Sequence, residues 1–278
     1  MYTINNIIEE LNNRGLNATT QVVTKNGIEL NAVVIKSEAK NIAPTIYVDE
    51  ILESINNGEI SFEDAISHMV TLYNGRKDVA FDDSVLRDKD FILSNLYIGL
   101  QREGTEELVK RECGFDGIEA YLYIRLEQFE DGIGTAKVNR NLLDLVEISE
   151  AEAWKRAEEN TFSETTMQPI FSAIGALVHE EFPEEELIDE SCGLYVLSNK
   201  SMNLGASAIL DKKALQRLSE KVHTKEFIMI PSSRHEVIVV PNTGNIELED
   251  VTEMVNMVNS NEVRPIDQLA DKAYKFAI

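Results

Sequence analysis

Two periods alternate along the chain. Ile4, Ile7, Ile8 and Leu11 recur at helical spacing, so residues 3–13 read as a short amphipathic helix ended at Gly15. Residues 21–24 and 28–35 are β-prone runs on either side of Lys25-Asn26-Gly27, the strongest short hairpin signal a sequence carries. Residues 45–48 add a strand, Asp49 caps a helix running to Ile55, and Asn56-Asn57-Gly58 closes it. Ser61 opens a further helix with the apolar stripe Ala65, Ile66, Met69, Val70 and Tyr73. Asp64 stands there where a capping box usually carries Glu.

The same grammar continues. Residues 91–100 read as a strand, 105–113 as a helix, and 120–129 with 135–138 as a hairpin. Helices follow at 141–146 and 149–159, the second opened by a Ser149/Glu152 capping box. Residues 193–198 and 206–210 form another hairpin, and 211–222 a helix. Two strands, 227–230 and 236–240, flank the turn Pro231-Ser232-Ser233-Arg234-His235, before a helix at 248–258 and an irregular tail. The strand-to-helix junctions after Ala43, Gly134 and Gly205 echo one another. The expected fold class is therefore α+β, with mixed or antiparallel sheets built from ββα units and helices packed on the sheet faces. The expected organisation is an N-terminal α+β domain over 1–165, an acidic connection over 166–190 and a C-terminal α+β domain over 191–278.

Composition narrows the partners. The 278 residues carry 49 Asp+Glu against 26 Lys+Arg, a net charge of −23, which repels nucleic-acid phosphates and anionic membrane surfaces. Neither is expected as a direct partner. Between Glu147 and Glu190 stand 13 acids against Lys155 and Arg156, a local net of −11, with Glu180, Glu181, Glu184, Glu185 and Glu186 at its centre. This segment reads as a solvated connection or as an electrostatic surface that recruits a basic protein. Two cysteines, no basic leader ahead of an apolar run, and no apolar run of membrane-spanning length lead to the expectation of a cytoplasmic protein.

The search for chemistry is mostly one of exclusion. Gly99 and Gly104-Thr105 have the glycine spacing of a phosphate loop, but its lysine is missing and Glu106 follows. His179-Glu180 begins like a zinc-protease helix, yet Pro183 stands where the second histidine belongs. No Gly-x-Ser-x-Gly elbow occurs, so no catalytic residue, metal or cofactor is assigned. One turn gathers polar chemistry: Ser232, Ser233, Arg234 and His235 lie between two apolar strands, where a rigid turn can aim donors at an anion. Arg140, at a similar junction, and Asn199 complete the candidate ligand-binding residues.

Several of these segments carry a resemblance. The runs Tyr121-Leu-Tyr-Ile-Arg-Leu, Ser149-Glu-Ala-Glu-Ala-Trp-Lys-Arg-Ala-Glu-Glu-Asn160-Thr161, Gly193-Leu-Tyr-Val-Leu-Ser-Asn199 and Ile230-Pro-Ser-Ser-Arg-His-Glu-Val-Ile-Val-Val-Pro241 resemble an uncharacterised family of gut Clostridia. More remotely, their order is similar to that of the YtpQ-type proteins of Bacillus relatives. The resemblance implies a bacterial intracellular α+β protein and transfers no reaction and no catalytic residue. Three functions are thus expected, in this order. The first is a non-enzymatic binding or interaction protein with an acidic surface. The second is a small-anion-binding protein or enzyme using the 232–235 turn. The third is an acidic mimic of nucleic acid that occupies a basic protein.

Overall fold

Asn26 and Gly27 both take positive φ, 52° and 74°, the backbone that a two-residue turn between twisted antiparallel strands requires. This turn sits in the first of two units, Met1–Val85 and Leu86–Ile278, of a computed structural model that describes residues 1–36, 45–76, 83–129, 132–170 and 193–278.

The first unit runs α1 (Ile4–Asn13), β1 (Asn17–Lys25), β2 (Ile28–Lys36), β3 (Thr45–Tyr47), α2 (Asp49–Asn57) and α3 (Phe62–Arg76). Its antiparallel sheet has the order β1-β2-β3. Ile7 and Leu11 of α1, Val33 and Ile35 of β2, and Ile66 and Met69 of α3 form its core, the stripes that helical and strand spacing select. Asp49 is not the cap of α2. Its carboxylate instead accepts from the backbone N and the Nδ2 of Asn31, at 2.8 and 2.7 Å, and Val48 takes the cap position.

The second unit carries α4 (Lys89–Ser94), β4 (Leu96–Arg102), β5 (Lys110–Glu112), β6 (Ile118–Phe129), β7 (Gly132–Lys137), α5 (Arg140–Leu145) and α6 (Glu150–Ser163). It continues through β8 (Thr165–Pro169), β9 (Tyr195–Asn199), α7 (Lys212–Val222), β10 (Glu226–Ile230), β11 (Val237–Pro241), α8 (Leu248–Asn261) and β12 (Tyr274–Ala277). One sheet has the order β4-β6-β5, with β7 also on β6. The other has the order β12-β10-β11-β9-β8. Every described pairing is antiparallel, so the fold is α+β. A single apolar core joins Ile98, Leu122 and Ile124 of the first sheet to Leu197, Phe227 and Val239 of the second, with Trp154 and Leu215 from the helices.

Four local expectations are corrected. Residues 91–94 belong to α4, not to a strand, because the Asp88 carboxylate accepts from the N–H groups of Asp90 and Phe91 and nucleates a helical turn. The helix expected over 105–113 is absent. Val109 donates to Val138 O and accepts from Leu122 N, so the sheet claims this backbone and β5 follows. Residues 205–210 form a 3-10 helix rather than a strand, which also ends the echo with Gly134, a residue of β7. The tail is not irregular, since β12 pairs with β10.

Two residues at the end of α6 explain part of the Asn160-Thr161 pattern. Asn160 Nδ2 donates to Leu93 O and Leu96 O at 2.9 and 2.8 Å, and Thr161 Oγ1 accepts from Ile98 N at 2.9 Å, stitching the helix to the start of β4. Among the described residues no helix is long and apolar enough to cross a membrane.

Candidate functional site

Strand alternation gives the sheet of β4, β5, β6 and β7 two unlike faces. Leu96, Ile98, Leu100, Ala120, Leu122 and Ile124 point into the core. The other face takes Tyr97, Gly99 and Gln101 from β4, Glu119, Tyr121, Tyr123 and Arg125 from β6, Lys110 from β5 and Lys137 from β7, with Gly99 opposite Tyr121 and Tyr123 opposite Lys137. Gly99 is where the phosphate-loop spacing began, and its use is steric. A Cβ there would stand 2.6 Å from Cζ of Tyr121, so only glycine lets that ring lie across β4.

The charged groups on this face are paired. Lys137 Nζ donates to both oxygens of Glu106 at 2.7 Å and to Gln101 Oε1 at 2.9 Å. Gln101 Nε2 donates to Glu119 Oε1 at 2.7 Å, and Lys110 lies 3.0 Å from Glu119. Burial lowers the Lys137 pKa, the Glu106 carboxylate opposes that, and the charge of Arg234 adds to the lowering. Burial also pushes the Tyr121 phenol up to about 12, with Arg234 acting against it, so Tyr121 is a protonated donor at neutral pH.

Arg234 comes from the turn that the sequence singles out. Both serine hydroxyls are engaged within the turn: Ser232 Oγ and Ser233 Oγ donate to Glu236 Oε1 at 3.0 and 2.8 Å, and Ser233 Oγ accepts from His235 N. They hold the turn. Residues 232–236 are therefore not extended, and Arg234 and His235 face the same carboxylate, Asp267. Arg234 N donates to Asp267 O at 2.8 Å, and His235 Nε2 lies 3.3 Å from Asp267 Oδ1. Leu204 N donates to His235 Nδ1 at 3.2 Å, which assigns the ring proton to Nε2. Arg264 completes the set with Nη2 and Nε on Asp267 Oδ2, at 2.7 and 3.0 Å. Burial raises the Asp267 pKa, but the bonds from His235 and Arg264 outweigh it and leave it at about 2.

The guanidinium of Arg234 is different. Its side chain is 10% exposed, its Nε is buried without a hydrogen-bond partner, and the nearest carboxylate oxygen, Asp267 Oδ1, is 3.9 Å away. That separation is beyond hydrogen-bond range.

Asn199 acts at one remove. Its Oδ1 accepts from Ser201 Oγ and Asn203 N and its Nδ2 donates to Asn203 O, fixing the loop that delivers Leu204, in the left-handed region at φ 53°, onto Tyr121 and Tyr123. Arg140 takes no part in these contacts: it is 78% exposed at the start of α5, 3.4 Å from Glu150. Glu180, Glu181, Glu184, Glu185 and Glu186 lie outside the described residues. Tyr121, Lys137, Glu106 and Asp267 are absent from the sequence-derived candidates. For Tyr121 the alternation of Glu119, Tyr121, Tyr123 and Arg125 with apolar residues is the readable trace. Among the described residues, no three His, Cys, Asp or Glu side chains converge as metal ligands would.

No curated protein and no solved structure matches the chain. A family model does, over residues 2–277, and the chain accordingly belongs to the family of unknown function DUF5688.

Proposed function

We propose that this is a binding protein whose site takes a small anion at Arg234. One observation carries the reading: a guanidinium nine-tenths removed from water and without a hydrogen bond to any described residue. Desolvating a cation without a hydrogen-bonded acceptor is costly, and a ligand can supply the missing acceptor. The surroundings support it. Asp267, the closest carboxylate, has its oxygens engaged by His235 and Arg264. Lys137 is engaged by Glu106 and Gln101.

The test is thermal unfolding of the full chain against chloride, acetate, benzoate, phosphate and sulfate at constant ionic strength. A ligand at about a hundred times its Kd adds about 2.7 kcal/mol, a rise of several degrees for a protein of this size. At least one anion should raise the melting temperature of the wild type and leave Arg234→Met unmoved. An equal response in the two proteins would overturn the proposal.

A second reading rests on charge alone. The local net of −11 between Glu147 and Glu190 suits a basic protein partner. Such a complex should weaken steeply between about 0.05 and 0.5 M salt, as exposed charges are screened. Capture that ignores salt would contradict it.

A further inference from the structure

Helix α8 (Leu248–Asn261) is anchored along one side. Val255 and Asn259 are buried, and Val251 lies against the cluster of Ile228, Val240 and Ala273. Asn259 Nδ2 donates to Ala270 O at 3.0 Å, and Thr252 Oγ1 accepts from Ala273 N at 3.2 Å. These contacts fix which way the helix faces. At about 3.6 residues per turn, the surface turned away from them falls to Met254, Met257 and Val258. They are 55%, 61% and 42% exposed. Residues three and four apart are neighbours on a helix, so the three side chains form one apolar patch. Exposed patches of this kind mark interaction sites, and methionine, unbranched and polarisable, adapts readily to a partner.

Charge decides what covers the patch. Between Leu248 and Asn261 the helix carries no Lys and no Arg. The row of Met254 and Val258 starts at Asp250 and ends at Glu262, and the row of Met257 starts at Glu253. All three acids are exposed, and none forms an ion pair with a described residue. A second copy of the chain seated here would set acid against acid, Asp250 meeting Glu262 of an antiparallel copy. An anionic membrane surface is repelled for the same reason. A helix with an apolar stripe flanked by Lys and Arg meets both demands, burying its stripe on the methionines and placing its cations on the acids.

We propose that the Met254, Met257 and Val258 face of α8 docks a basic amphipathic helix of a partner protein, with Asp250, Glu253 and Glu262 receiving its cations. This surface shares no residue with the Arg234 site or with the acidic segment 147–190, so it stands or falls apart from both readings above.

The probe is a synthetic peptide of about 18 residues, long enough to hold a helix, with Leu at i, i+3, i+4 and i+7 and Lys elsewhere. Its control carries Glu for every Lys. Both are titrated calorimetrically into the full chain at about 0.1 M salt. The lysine peptide should bind and the glutamate peptide should not. In Met254→Ser/Met257→Ser the affinity should fall at least about tenfold, with the melting temperature and far-ultraviolet circular dichroism unchanged, since both side chains face water. In Asp250→Asn/Glu253→Gln it should fall several-fold and depend less on salt. Binding that the serine variant retains in full would reduce the effect to general charge attraction and overturn the proposal. So would binding of the glutamate peptide, or binding of neither. A wild-type dimer in sedimentation equilibrium that the serine variant loses would put a second copy on this face instead.

Discussion

Arg234 Nε stops 3.9 Å short of Asp267 Oδ1, although the two residues are already joined through their backbones by an N–H···O bond of 2.8 Å. The carboxylate is engaged elsewhere, by His235 on one oxygen and Arg264 on the other. Arg264 thus holds the Asp267 oxygen that Arg234 would need for a hydrogen bond, and leaves Arg234 a loose ion pair at 3.9 Å.

Removing Arg264 has a definite consequence. In Arg264→Ala the Oδ2 of Asp267 is released, and Arg234 can close the gap. Arg264 is 62% exposed, so the change in stability should stay within about 1 kcal/mol. Anion affinity should nonetheless fall several-fold, measured by the same anion titration of the melting temperature. Unchanged affinity would mean that Arg264 does not govern the pairing of Arg234.

Asp267 gives the site a pH signature. Its folded pKa of about 2 lies below the ordinary 3.8, so the carboxylate stabilises the fold fully above about pH 4 and loses that contribution as pH falls through about 2. The shift corresponds to about 2 kcal/mol. Urea unfolding of wild type and Asp267→Asn should differ by about that amount at pH 6 and converge toward pH 2. A difference constant across that range would show that the ionised carboxylate is not what matters.

Two glycines are sites of close approach, and they differ in what they meet. At Gly99 the added Cβ faces the Tyr121 ring at 2.6 Å, whereas at Gly205 it faces Ser198 Oγ at 2.4 Å and the backbone atoms Asn199 N and His235 O at 2.6 and 2.7 Å. A ring can tilt; paired backbone cannot. Gly99→Ala should cost roughly 1–3 kcal/mol, and Gly205→Ala more than Gly99→Ala, read by urea unfolding. The reverse order would contradict the packing described.

The parts of the fold legible in sequence are those with a local cause. The Asn26-Gly27 turn, the Ser149 cap and the helix opened at Asp211 each rest on chemistry contained within a few residues. At Ser149 only half of the expected capping box forms: Ser149 Oγ accepts from Glu152 N, while the Glu152 carboxylate turns to Lys89. Phe91-Ile-Leu is a short apolar run, which periodicity alone cannot assign to helix or strand, and the Asp88 cap decides it. Glu106, Glu107 and Leu108 favour helix, but the backbone bonds of Val109 to Val138 and Leu122 are contacts of long range.

The site divides in the same way. Arg234 and His235 adjoin in sequence and could be singled out. Asp267, which both of them face, lies more than thirty residues away in a segment without a recognisable pattern. The polar face of β4 and β6 reads as ordinary strand alternation, and nothing in that pattern says that Gln101, Glu119 and Tyr121 are buried.

The central claim, that Arg234 is held for a ligand rather than for the fold, is tested most directly by the stability of the ligand-free Arg234→Met variant in urea at neutral pH. A buried cation that makes no hydrogen bond and only a loose ion pair, replaced by an apolar side chain of similar length, should leave the unfolding free energy equal to the wild type or higher. A loss of about 3 kcal/mol or more, the cost of breaking a structural buried ion pair, would show that the 3.9 Å contact of Arg234 with Asp267 holds the fold, and contradict the account.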